Sequence, residues 1–105
     1  MEMEKLLTYY DRIDEELEDA EEYAELAMEW ADCPEDARVL LSISAQELDH
    51  AQILQGLVTR KLAAMKANNH EHYAHAAMME SHRHSRDAKR IREVKMLHEI
   101  FADRR

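Results

Sequence analysis

The sequence predicts an all-α chain: an antiparallel helical hairpin followed by a long third helix. Three observations carry this expectation. The 105 residues include one Gly and one Pro, too few turn formers for a β-rich fold. Ala, Leu, Glu, Lys, Met and Arg dominate, and these residues lose little on entering a helix. Apolar residues recur three and four apart over three long segments. The length fits a single domain, residues 1–105.

The first helix is expected from about Glu4 to Ala31. Leu6, Tyr9 or Tyr10, Ile13, Leu17, Ala20, Ala24, Ala27 and Met28 form its apolar stripe. Asp32-Cys33-Pro34 stops it, because Pro lacks the amide donor and disfavours the α conformation at Cys33. The second helix starts at once, with Asp32 or Cys33 as N-cap and Pro34 at the first helical position. Glu35 and Asp36 complement its dipole. Its stripe runs through Ala37, Leu40, Leu41, Ser44, Glu47, Leu48, Ala51, Leu54 or Gln55, and Val58, and the helix ends near residue 67. Gly56 marks an expected close helix approach. So short a connection forces the two helices into an antiparallel hairpin.

The third helix is expected from about His70 to Ala102. Its stripe is Tyr73 or Ala74, Ala77 or Met78, Ser81, Ala88, Ile91, Val94, Leu97 and Phe101. The polar stretch from His82 to Asp87 predicts a bend or break. The hairpin alone is not expected to cover this stripe, so the third helix is expected to pack across a neighbouring hairpin.

Charge and cysteine content narrow the function classes. A formal net charge of −9 argues against a nucleic-acid partner. The charge is uneven: Asp11 to Glu29 holds ten acidic residues and one basic one, Arg12, whereas Arg83 to Arg105 is basic. Two solvated faces of opposite sign are expected, and a cation-attracting acidic first helix is the sharper alternative. With Cys33 alone, neither an intrachain disulfide nor a thiolate zinc site can form within one chain. No apolar run is long enough for a membrane span, and the acidic start Met1-Glu2-Met3-Glu4 is unlike a signal peptide. A cytoplasmic protein is expected.

The chemistry lies in Glu47-Leu48-Asp49-His50, an E-x-x-H. Residues three apart share a helix face, so one carboxylate and one imidazole can bind the same cation. Glu47 also sits inside the apolar stripe, where an unpaired carboxylate is costly and needs a compensating charge. Such pairs are common in helices, so the first helix decides. Glu16 precedes Asp32 by 16 residues and Glu47 follows Pro34 by 13. At about 1.5 Å per residue they lie roughly 24 and 20 Å from the turn. The two carboxylates are nearly level, and His50 brackets the same height. A Glu from one helix and a Glu-x-x-His from its neighbour make half of a di-iron carboxylate constellation.

The segment Glu15-Glu16-Leu17-Glu18-Asp19-Ala20-Glu21-Glu22-Tyr23 resembles the first metal helix of the encapsulated ferritins, in which a Glu precedes a Tyr by seven residues. Glu47-Leu48-Asp49-His50-Ala51-Gln52-Ile53-Leu54 resembles their second metal helix, and rubrerythrins share both spacings. The resemblance spans roughly Tyr9 to Leu57. It implies a ferritin-like four-helix bundle completed by dimerisation. It also implies Glu16, Glu47 and His50 as metal ligands, with Glu47 bridging, and Tyr23 close behind them as a further residue of the catalytic site. Glu15 and Glu18 fall where encapsulated ferritins attract cations. The chain departs from that pattern at Glu22, where those proteins tend to have Trp. It also lacks a Gly-containing targeting tail after Phe101, and the cysteine pairs of a rubredoxin module are absent. An encapsulating shell is therefore an expectation without support from the tail.

Together these features lead to an expected homodimer or larger homo-oligomer with the metal site at its interface. The cofactor would be a di-iron centre, since carboxylates with one imidazole per metal suit Fe(II) or Mn(II), with manganese or zinc as substitutes. The implied reaction is ferroxidase oxidation of Fe(II) by dioxygen or peroxide, serving iron oxidation and storage. The rivals are a bundle that holds metal without turnover, and a structural oligomer in which Glu47 and His50 form buried hydrogen bonds. His70, His72, His75, His82 and His84 cluster as well, and their polar surroundings favour exposed histidines over a second metal site. Met65, Met78, Met79 and Met96 are expected to be packing residues.

Overall fold

Pro34 sets the architecture. The computed structural model describes residues 2–103 as α1 (Glu2–Glu29), α2 (Pro34–Ala67) and α3 (Tyr73–Asp103). The chain leaves α1 at Trp30. Cys33 caps α2 without a side-chain hydrogen bond, and its carbonyl accepts the first helical bond from the Ala37 N–H at 3.0 Å. At the other end Asn68 closes α2 and Asn69 takes φ 50°, a left-handed conformation that Asn tolerates. His70 to His72 form the turn. The third helix therefore begins at Tyr73 and not at His70. Met1, Arg104 and Arg105 lie outside the described residues.

The hairpin core follows the stripe. Leu6, Tyr10, Ile13, Leu17, Ala20, Ala24 and Ala27 are the buried residues of α1. They meet Ala37, Ser44, Leu48, Ala51, Val58 and Met65 of α2. Ala20, Ala24, Ala27 and Ala37 are fully buried at the turn half of this contact. Gly56 does not serve that purpose: it is exposed, and a Cβ added there would meet nothing within 4 Å.

The structure corrects the reading of the third helix on three points. First, α3 runs unbroken through His82 to Asp87. Its polar residues there are held by α1: Arg83 and Arg86 both reach Asp14 Oδ1 at 2.7 Å, and Arg86 pairs with Asp87 at 3.3 Å. Second, Asp87 is buried and Ser81 is exposed, so a charged residue occupies the stripe that apolar spacing assigned to its neighbours. Third, α3 lies on its own hairpin. Ala76, Ile91 and Val94 join the main core, while Phe101 packs with Ala27 and Ala37 near the hairpin turn.

The contacts give α3 a direction. Tyr10 meets Glu80, Asp14 meets Arg83 and Arg86, and Glu21 meets Arg90, so α3 runs parallel to α1. The result is a flat array, 55 × 20 × 15 Å in Cα extent. A hairpin has two grooves, and α3 fills one. No helix among the described residues is long and apolar enough to cross a membrane.

Candidate metal centre

Which groove α3 leaves open follows from one interval in α1. Asp14, which grips α3, and Glu16 are two residues apart. At 3.6 residues per turn that is about 200° around the helix, so Glu16 points to the opposite groove. Glu47 and His50 of α2 meet it there. Among the described residues, Glu16, Glu47 and His50 are the one group of at least three His, Cys, Asp or Glu side chains able to hold a metal ion, with ligand atoms all within 4.8 Å of one another.

The spacings suit a first-row divalent cation. His50 Nδ1 lies 3.4 Å from Glu16 Oε2 and 3.9 Å from Glu47 Oε2. An ion bonded at about 2.1 Å to each ligand holds neighbouring ligand atoms about 3.0–4.2 Å apart. The side chains of Glu16 and Glu47 are 25% and 20% exposed, and that of His50 is 54% exposed, so the group opens toward solvent on the imidazole side.

The electrostatics are those of a site that wants positive charge. Glu16 Oε2 is buried with no hydrogen-bond partner, which is costly for a carboxylate. The Glu47 carboxyl is pushed up from 4.5 to about 7. A hydrogen bond with Glu16 is the largest cause, followed by burial and by the Glu16 charge, with His50 opposing. Two carboxylates this close cannot both ionise without penalty unless a proton or a cation lies between them.

Asp19 also raises the Glu47 carboxyl through its charge. The sequence reading passed over it, although its position three residues after Glu16 puts it on the same face. Tyr23 is half-buried and seven residues beyond Glu16, about 10 Å along α1. No hydrogen bond joins it to the three ligands among the described residues. Glu15 and Glu18 are exposed on the flank of α1, and Arg12 pairs with Glu15 at 3.1 Å.

The histidines near the start of α3 do not converge. His70 and His72 have ring centroids 5.6 Å apart, His72 lies 3.6 Å from Glu71, and His75, His82 and His84 are exposed. A further polar node joins all three helices. Ser44 Oγ donates to the Ala20 carbonyl at 2.6 Å and lies 2.9 Å from His98 Nε2. Burial, followed by the Lys95 charge, lowers the pKa of His98. The serine was legible as a stripe residue. Its histidine partner was not, because 54 residues separate them.

Comparison with protein families, with curated proteins and with solved structures gives no match.

Proposed function

We propose that this chain is a ferritin-like di-iron protein in which two copies combine Glu16, Glu47 and His50 into one carboxylate-bridged site that binds and oxidises Fe(II). The observation that carries the proposal is the convergence of two carboxylates and one imidazole, from two helices, around a buried Glu16 oxygen. A site of this class draws a Glu from two helices and a Glu-x-x-His from two more. One chain holds one of each, on the groove that α3 leaves uncovered.

Bound iron supplies the electrons that reduce dioxygen or peroxide. The protein's part is to bind, orient and neutralise. Glu47, which lies beside both Glu16 and His50, would hold the ions as the shared carboxylate. Its proton, held to about 7, would be displaced by a bound cation. His50 presents Nδ1 to the same point, and its exposed ring leaves a path for incoming cations and oxidant. Asp19, Glu15 and Glu18 raise the local concentration of cations around it.

The test is elemental analysis and stopped-flow optical measurement after anaerobic loading with Fe(II). Wild-type protein should hold iron at the dimer interface and oxidise it on mixing with oxidant. Glu47→Ala should do neither. Full iron occupancy in Glu47→Ala refutes the assignment. A wild-type protein that holds iron without oxidising it reduces the reading to a metal-binding module. One that takes up no Fe(II) leaves the cluster as a structural set of hydrogen bonds.

A further inference from the structure

The outer face of α3 points away from the hairpin and carries a pattern that neither the core nor the carboxylate cluster uses. Its first turns read His75-Ala76-Ala77-Met78-Met79-Glu80-Ser81-His82. Ala76 is buried in the main core and Met79 packs against that core. His75, Met78 and His82 are exposed. Met78 is 63% exposed, so the packing role expected of it from the sequence is not the one it has. What singles it out is its company, a histidine three residues before it and another four residues after it.

Helical geometry sets these three residues on one arc. At about 100° per residue, His82 lies about 20° from His75, and Met78 lies about 60° from His75 and about 40° from His82. Along the axis the two histidines are about 10.5 Å apart, and Met78 is about 4.5 Å beyond His75, close to their midpoint. With metal–nitrogen bonds of about 2 Å, an imidazole holds an ion about 5 Å from its own Cβ, so the two rings can reach one ion from opposite ends. The Met78 thioether, on three rotatable bonds, can reach the same point from the side. Neighbouring groups are engaged elsewhere. Glu80 accepts a hydrogen bond from the Tyr10 hydroxyl at 2.5 Å, on the hairpin side of α3. His70 and His72 face each other in the preceding turn. His84 stands about 160° around the helix from His82.

We propose that His75, Met78 and His82 form a binding site for Cu(I) on the outer face of α3, separate from the carboxylate cluster. The donor set fixes the class of ion. Two imidazoles and a thioether bring soft and borderline donors and no negative charge. A thioether selects Cu(I), whereas Mn(II) and Fe(II) favour carboxylate oxygen. Two rings at opposite ends with a sulfur at the side also suit the low coordination number of Cu(I). Two sites of opposite character then lie on opposite sides of the flat array. The oxygen-rich one, Glu16, Glu47 and His50, faces the open groove, and the sulfur-containing one faces outward from α3. The Cu(I) site stands whether or not the carboxylate cluster holds a metal.

Anaerobic titration with Cu(I) against the coloured chelator bicinchoninate measures this site in the full chain. A Cys33→Ser background removes the exposed thiol, which would otherwise bind Cu(I) itself. That chain should take up one Cu(I) and keep it in excess Mn(II). Met78→Leu, His75→Ala and His82→Ala should each weaken binding at least about tenfold, which is the least that losing even a supporting residue of a metal site commonly costs. Met96→Leu and His84→Ala should leave the affinity unchanged. Met96 is also exposed, but no histidine stands three or four residues from it. A second measurement needs none of these substitutions: in the Cys33→Ser chain the Met78 methyl resonance should shift on adding Cu(I), and that of Met96 should stay. A chain that takes up no Cu(I) overturns the proposal. So does Cu(I) that Mn(II) displaces, or an affinity that survives Met78→Leu or either histidine substitution.

Discussion

Glu47→Gln separates the electrostatic cost of the carboxylate cluster from its shape. The substitution keeps the volume and removes the charge. In the wild type the Glu47 proton is held to about 7 against an ordinary 4.5. At about 1.36 kcal/mol per pH unit, ionising Glu47 costs the native state at most about 3 kcal/mol. Its side chain is 20% exposed at the solvent-facing edge of the groove, so screening reduces the expected cost to about 1 kcal/mol. The sign follows from proton binding. The folded protein holds this proton more tightly than the unfolded chain does. The stabilisation is complete below about 4.5 and is lost as the pH rises through about 7. In chelator, the variant should match wild type near about pH 5 and exceed its stability by about 1 kcal/mol near about pH 8. Urea denaturation followed by helical circular dichroism measures this, and taking the difference between the two proteins cancels the other carboxylates. Adding Mn(II) near the upper pH should reverse the order, because an ion that binds the native wild type stabilises it. A difference between the proteins that does not change with pH refutes the reasoning.

Two further outcomes are expected. Gly56→Ala should stabilise the protein by up to about 1 kcal/mol in the same denaturation assay, since the position is helical, exposed and free of contacts; a loss of stability would show a neighbour that the structure lacks. Asp14→Ala should cost about 2 kcal/mol, because it removes the acceptor shared by Arg83 and Arg86. Hydrogen exchange should then quicken in α3 before α1 or α2, and uniform quickening would mean that Asp14 does not tether α3.

The hairpin was legible because its signals are local. A seven-residue stripe fixes the buried face of α1, and a single Pro34 fixes both the end of one helix and the start of the next. The level placement of Glu16 and Glu47 needed only the helical rise and a short turn. The third helix was harder for a physical reason. Besides its apolar contacts, its docking uses ion pairs and hydrogen bonds between residues about seventy positions apart, Arg83 with Asp14 and Arg90 with Glu21 among them. In the sequence such residues look like solvated charges. Asp87 was unreadable for the same cause: a buried acid in a polar run breaks the apolar period that marks a stripe. Gly56 misled because a glycine inside a helix invites a packing explanation, and here the space around it is open. Glu47 was readable despite its charge only because it sat within an apolar stripe beside a histidine.

The serine node bears on how the hairpin keeps time with itself. Ala20 lies four residues past Glu16, and Ser44 three residues before Glu47. The 2.6 Å bond between them therefore bolts α1 to α2 about one turn from the ligands. Packed helices with small residues between them are prone to slip, since one alanine fits much like the next. A slip here would strand a buried hydroxyl and leave His98 without its partner, and buried polar groups make such errors expensive. On the proposed reading, the packing of the hairpin rather than a cation would hold the spacing of the two carboxylates. Substituting Ser44 should loosen the hold on a metal it never touches, much as a slackened hinge pin lets a well-cut door miss its latch.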